Sequence, residues 1–482
     1  MNKSVDFQSY ITGSGLDAKP HQEEGVAWIL EKETKGHQGV KGGIVADEMG
    51  LGKTIMMIGA IMANVCAQTL IVMPLALLQQ WKKEIERTTG LEVLIYHGKM
   101  KKTTPLDMIK SYPIVLATYH EVQISPSEYS VKPISMLHSV EWGRVIFDEA
   151  HHLRNKTSQQ NGAAKLKGGI RWMITGTPIQ NRVHDIYSLC HVLGFNDSYY
   201  GKPEGLKEIM DKAMMRRTKA EIGIRMPELN TTHISVSWKS DADCDLADEL
   251  QQISITGTGD CFGEGVNEDV GGVLPAVKLV GMVRSKQMCV FPKMLKNKVE
   301  QYYEEGLLEE DYTKMAFQAV NSSTKLDAVF HTVNERAKNG NQKIVFCHFR
   351  MEMDELKRRF EGIGLNVAIV DGRTTGKKRV SILSGVEEKF DVLILQINTG
   401  CEGLNLQDFN EIYFVSPHWN PAVEDQAVAR AHRIGQKKDV HVFRYYMDGC
   451  DYEVPPPGER MIGGSQETYC KYRQDQKRMI YV

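Results

Sequence analysis

The sequence contains no CxxC pair. Its nine cysteines, at 66, 190, 244, 261, 289, 347, 401, 450 and 470, stand apart from one another. That spacing excludes a zinc ribbon or a RING-type module, argues against a disulfide framework, and fits a reducing compartment. No apolar run approaches the ~20 residues needed to span a bilayer, and the opening MNKSVDFQSYITGSG has no apolar signal core. The expectation is a soluble intracellular protein with no membrane partner and no structural zinc. Neither sign of charge is in excess: 59 Lys and Arg against 61 Asp and Glu leave a formal net charge of −2. Affinity for nucleic acid must then come from local patches. No repeat recurs at a solenoid period.

At ~150 residues per domain, 482 residues suggest about three domains. From residue 40 to about 195, short β-rich apolar runs alternate with amphipathic stretches: GGIVA then TIMMIGAIMANV, TLIVM then ALLQQWKKEIE, then PIVLAT, RVIFDE and RWMIT. A second series begins at QKIVFCHF and runs through NVAIVDG, DVLILQI, EIYFVSP and PAVEDQAVARAHR to VHVFRYYM. Alternation of this kind builds a parallel sheet covered by helices. The fold class expected is α/β, with two parallel-sheet lobes in tandem, spanning 1–200 and 326–450. Residues 201–325 read as a mainly helical region carrying a glycine-rich, acidic loop at 255–272, and 451–482 as a short tail appended to the second lobe.

A phosphate-binding loop requires main-chain N–H groups aimed at an anion, a helix N-terminus behind them, a lysine for the outer phosphates and a hydroxyl for magnesium. DEMGLGKT supplies Gly50, Gly52, Lys53 and Thr54, between the strand GGIVA and the helix KTIMMIGAIMANV. Asp47 stands where the common pattern has its first glycine. The competing reading, a glycine-rich turn, loses ground once RVIFDEAHH is included: Asp148 ends an apolar strand, where magnesium is held, and Glu149 follows as the candidate base. In DQAVARAHRIGQ, Gln426, Arg430 and Arg433 are spaced i, i+4, i+7, which on one helix places them on one stripe. Taken alone that stripe reads as a solvated face. Beside a phosphate loop it reads as two arginines for the γ-phosphate.

These motifs resemble the Swi/Snf family of DNA-translocating ATPases, a branch of helicase superfamily two, over roughly residues 15 to 450. DEMGLGKT is that family's own form of the loop, so the resemblance places Asp47 with Gly50, Gly52, Lys53 and Thr54 at the ATP. KPHQEEGVAWIL resembles the family's first motif, in which Gln22 contacts the adenine. LIVMPLALLQQWKKEIE carries Pro74, Trp81 and Glu84, and LATYHE, with Thr118 and Tyr119, resembles the motif that tracks a nucleic-acid strand. TGTPIQN resembles the coupling motif. MMRRTKAEI contributes Arg216, Arg217 and Lys219, INTGCEGLNLQDFN contributes Gly403, and SPHWNPAVEDQAVARAHRIGQ contributes Gln426 and the two arginines. Cys401 departs from the family's usual glycine.

The resemblance implies two RecA-like lobes, ATP and magnesium as cofactors, with Thr54 and Asp148 on the metal, and double-stranded DNA as partner. Bound proteins or a larger complex are further expected partners, in a nucleus or another DNA-containing compartment. HRIGQ has Gln436 where RNA helicases of the superfamily generally have arginine, which points to DNA. Backbone tracking needs cations rather than base readers. Arg216, Arg217 and Lys219, and then Arg373 and Lys377, are the candidates, together with Thr118 and Tyr119. The rival readings are a strand-separating helicase on RNA or single-stranded DNA, and a decayed ATPase retained for DNA binding.

Overall fold

The computed structural model describes residues 5–124, 135–247, 274–296, 322–397 and 404–448, with short interruptions, and parts of the tail between 465 and 475. The 255–272 loop, Lys377, Cys401 and Gly403 lie outside the described residues. The chain divides into two compact units, Met1–Arg225 and Met226–Ile480.

In the first unit seven strands form one sheet: β1 (Gly42–Val45), β2 (Thr69–Met73), β3 (Val93–Tyr96), β4 (Ile114–Thr118), β5 (Glu141–Asp148), β6 (Lys167–Ile174) and β7 (Met214–Met215). Their order is β3-β4-β2-β5-β6-β1-β7, and every pairing is parallel. Each of β1, β2 and β4 is buried along its whole length. That is why these strands read as unbroken apolar runs rather than alternating ones. Two hydrophobic clusters cover the two faces. One gathers around Val72, Val145 and Phe147, the other around Ile71, Trp81, Ile146 and Trp172.

One buried ion pair fixes the first helix of the site. Arg144 on β5 clasps Glu33 through two bonds of 2.6 Å, and both side chains are fully buried. Glu33 also accepts from Trp172 Nε1 at 2.9 Å and from Asn64 at 2.6 Å. A buried pair with its remaining lone pairs satisfied tolerates little displacement. The helix Pro20–Thr34, which carries Gln22, is thereby pinned to the sheet.

The second unit has six strands: β8 (Leu229–Val236), β9 (Gln342–Cys347), β10 (Val367–Val370), β11 (Val392–Gln396), β12 (Phe409–Phe414) and β13 (Val440–Met447), in the order β10-β11-β9-β12-β13-β8. The stretch 201–325, read from sequence as mainly helical, therefore also holds β7 and β8. β8 is LNTTHISV, exposed over most of its length, and it pairs with β13 from Leu229 against Val440 to Val236 against Met447. A polar edge strand has no apolar signature, so its partner reveals it.

The tail, expected as an appendage, packs into the second unit. Ser465, Glu467, Thr468, Cys470 and Gln474 are buried. Glu467 pairs with Lys325, both side chains being about 1% exposed, and also accepts from Met447 N at 2.9 Å.

Candidate active site

The loop after β1 is shaped by two glycines in left-handed backbone, Gly50 (φ 91°) and Gly52 (φ 84°). Gly52 caps the helix Lys53–Ala63, so the free N–H groups of that helix open onto the loop. Gln22 closes over it. A Cβ on residue 52 would lie 2.2 Å from Gln22 Nε2, and that amide donates to Leu51 O at 3.3 Å. Lys53 Nζ donates to Asp47 O at 2.6 Å and to Glu48 O at 3.3 Å, which holds the ammonium over the loop. Thr54 follows, partly buried.

Asp47 itself does not line this cradle. It is fully buried, and its carboxylate accepts from Arg217 N at 3.0 Å, Nε at 3.2 Å and an outer guanidinium nitrogen at 2.6 Å. A third guanidinium contact goes to His21 O at 2.6 Å. The adjoining acid, Glu48, receives Lys219 N at 2.8 Å and Lys219 Nζ at 2.9 Å. Main-chain bonds run alongside, from Ala46 N to Met215 O and from Glu48 N to Arg217 O. Asp47, expected at the nucleotide, thus props the loop through Arg217, and Arg217 and Lys219, expected at a nucleic acid, are engaged by the loop's acids. The physical reason is that a buried carboxylate requires a cation and donors, which the residues after β7 supply. Arg216, immediately before Arg217, stays exposed.

Asp148 ends β5 on the carboxyl edge that also bears the loop, the place where ligands gather in parallel sheets. Its two oxygens accept from Trp81 Nε1 at 2.7 Å and Glu149 N at 2.9 Å. Burial pushes its carboxyl up to about 7, and the Glu149 charge adds to this. The Trp81 bond and the Lys53 charge oppose it. Glu149 has φ 49°, an unusual conformation for a non-glycine residue, which turns the chain sharply after the strand. Tyr119 is buried and its hydroxyl donates to Asp148 O at 2.7 Å. Thr118, also buried, has its hydroxyl 3.5 Å from His97 Nδ1. Both are expected on a nucleic-acid strand; in the structure both are buried at the end of β4, where Tyr119 braces the carboxylate strand. Between β5 and β1, β6 delivers Thr175, whose N–H donates to Val45 O at 3.1 Å, and Gly176, where a Cβ would lie 3.7 Å from Lys53 Nζ.

In the second unit Asn420 caps the helix Pro421–Ala431, its side chain accepting from Ala422 N at 3.2 Å. Gln426 is buried, with its amide nitrogen lacking a hydrogen-bond partner among the described residues. The helix ends at Ala431, so Arg433 lies past it in a turn (Arg433 N to Ala431 O, 3.2 Å) and does not continue the stripe of Gln426 and Arg430. Burial lowers the Arg433 pKa, and the Arg430 charge lowers it further. Gln436, read as the mark of DNA, acts as a staple. Its amide donates to Gln407 O at 2.7 Å and Ala431 O at 3.2 Å, and its oxygen accepts from Lys437 N and Lys438 N. Arg373 is about half exposed and paired with Asp371 at 2.6 Å and Asp354 at 3.1 Å.

Sequence reasoning did not assign Trp81, Tyr119 and Arg217 their supporting roles. Trp81 lies in LIVMPLALLQQWKKEIE, but nothing in its spacing aims it at Asp148. Arg217 lies 170 positions from Asp47.

Residues 21–242 match the SNF2-related domain, and residues 324–435 match the helicase conserved C-terminal domain. The chain is 28% identical over 509 residues to a probable global transactivator of Orgyia pseudotsugata multicapsid polyhedrosis virus, covering 98% of this chain and 94% of that protein. It is 26% identical to the ISWI chromatin-remodeling complex ATPase ISW2 of Saccharomyces cerevisiae over 89% of this chain, yet spans 38% of that longer protein. The Pyrococcus furiosus Hef helicase domain shares the fold, with a TM-score of 0.55 at 14% identity, covering 89% of this chain and 95% of that one.

Proposed function

Since this chain belongs to the Swi/Snf family of ATP-hydrolysing, helicase-like motors, we propose that it is a DNA-dependent ATPase that moves along double-stranded DNA without separating the strands. Its work is then to remodel or displace bound proteins, or to serve repair or transcription, in a DNA-containing compartment. The observation that carries this reading is the gathering, on one sheet edge, of the glycine-shaped loop with Lys53 and the Asp148 and Glu149 pair.

The donor set fits a nucleotide and its magnesium. Lys53 and the first N–H groups of its helix suit the phosphates, and Gln22 lies against the loop with its amide. Thr54 and Asp148 would hold the metal, which supplies neutralisation of phosphate charge. The raised carboxyl of Asp148, buried beside Glu149, is the electrostatic state that a divalent cation relieves. Glu149 is the residue to orient water, and Arg430 and Arg433 are assigned to charge developing on the transferred phosphoryl group. The ISWI relative, described as a chromatin-remodeling complex ATPase, supports the duplex reading.

The test is ATP turnover without nucleic acid and with duplex DNA, single-stranded DNA and RNA, at two salt concentrations. Stimulation by duplex, weakening steeply with salt and absent in Lys53→Ala, is expected. Equal or greater stimulation by single strands or RNA would assign the chain to the strand-separating helicases. Turnover surviving in Lys53→Ala would remove the proposed site.

A further inference from the structure

Gln474, in the tail, reaches the segment that leads into the arginine-bearing helix. Its Nε2 donates to His418 O and, at 2.8 Å, to Glu424 Oε1. Glu424 is fully buried near the start of the helix Pro421–Ala431. The same Oε1 accepts from His418 N at 2.6 Å, and the other oxygen is ion-paired with Arg444 on β13. One amide thus closes a small ring: His418 N–H to Glu424, Glu424 to Gln474, Gln474 back to the His418 carbonyl.

We propose that Gln474 is a positioning residue for ATP hydrolysis, holding the helix Pro421–Ala431 through Glu424 and His418 so that Arg430 and Arg433 keep their place. This rests on the reading of those arginines given above. Arg430 lies six residues after Glu424 on the same helix, about 9 Å along its axis. The helix packs through Ala427, Val428 and Ala431, and Glu424 is the buried polar anchor near its start, where a small tilt is carried along a rigid rod to the arginines. Positional errors of about 1 Å at a reacting centre cost on the order of 100-fold in rate. The tail is anchored independently of Gln474, because Glu467 binds Lys325 and Met447 N while the Ser465 hydroxyl donates to Met447 O at 3.2 Å. Glu424 also keeps Arg444 and His418 N–H when Gln474 is lost, so no buried charge is stranded.

The experiment measures kcat and KM for ATP, with saturating duplex DNA, in the full chain carrying Gln474→Ala, Gln474→Lys or Arg433→Ala, alongside the thermal midpoint of each. Gln474→Ala is expected to lower kcat about 10-fold with KM little changed, since an intermediate tilt falls short of the full positional penalty. Gln474→Lys should restore most of kcat, its ammonium supplying donors to both Glu424 and His418 O. A folded Gln474→Lys chain as slow as Gln474→Ala, or a Gln474→Ala chain with unaltered kcat, would overturn the positioning role. In the second case, loss of turnover in Arg433→Ala would leave the arginine assignment standing, and survival of turnover there would remove both.

Discussion

Arg217 and Asp47 stand 170 positions apart in the chain, and the guanidinium grips the carboxylate with two of its nitrogens, at 2.6 and 3.2 Å, beneath the phosphate loop. Asp47 is fully buried there. Arg217→Ala strands that charge and should cost about 3 kcal/mol or more of stability, with ATP affinity falling as the loop loses its support. Asp47→Asn in the same background removes the stranded charge. The double variant should therefore unfold at a higher temperature than Arg217→Ala alone. A double variant no more stable than the single one would show that the pair is not coupled.

Gly52 has no room for a side chain. Its φ of 84° and the 2.2 Å approach of Gln22 Nε2 to a Cβ at this position both oppose alanine. Gly52→Ala should leave the sheet folded but displace Gln22 and abolish measurable nucleotide binding, read by titration of a fluorescent ATP analogue. Gly13→Ala, where a Cβ meets nothing within 4 Å, is the matched control and should bind normally.

Glu411 contributes a pH-dependent part of the second unit's stability. Burial alone would raise its carboxyl, but bonds from Arg336, Asn341 and Tyr413, with the Lys343 charge, hold it down at about 2. A depressed folded pKa stabilises above the ordinary carboxylate value of 4.5 and loses that stabilisation as pH falls toward about 2. Glu411→Gln should therefore be less stable than the parent at pH 7, with the gap in unfolding free energy closing between about pH 5 and pH 2. A gap that stays constant over that range would contradict this account.

Gln436 is engaged with the main chain, so its side chain has little left with which to read a sugar. Gln436→Ala is expected to lower stability by about 1 kcal/mol, because part-buried carbonyls lose their donor. The ratio of ATPase stimulation by duplex DNA to that by RNA should not change. A shift of that ratio toward RNA in a folded variant would restore Gln436 as a direct discriminator.

Much of the fold and of the candidate site is legible in the linear chain. GGIVA, TLIVM, PIVLAT and RVIFDE announce buried parallel strands because a strand covered on both faces is apolar throughout. DEMGLGKT announces its loop because the necessary backbone conformations require glycine at Gly50 and Gly52, and a helix must follow immediately. These signals are local. They need nothing beyond a dozen neighbouring residues, so sequence by itself determined the α/β class and the two series of strands, and it singled out Lys53 and the Asp148 and Glu149 pair as candidates.

What each remaining charged or polar residue does was decided only by tertiary structure. The chain shows that Arg217 is basic, Tyr119 aromatic and Gln474 polar, but not that their partners are Asp47, the carbonyl of Asp148, and Glu424. β8 was hidden for the same reason, its hydrogen bonds being satisfied by β13, some 200 residues on, while its side chains stay in solvent. A residue type fixes which interactions are possible. Whether a cation meets a phosphate or a buried carboxylate depends on which distant segment the fold brings within 3 Å of it, and desolvation makes that choice binding.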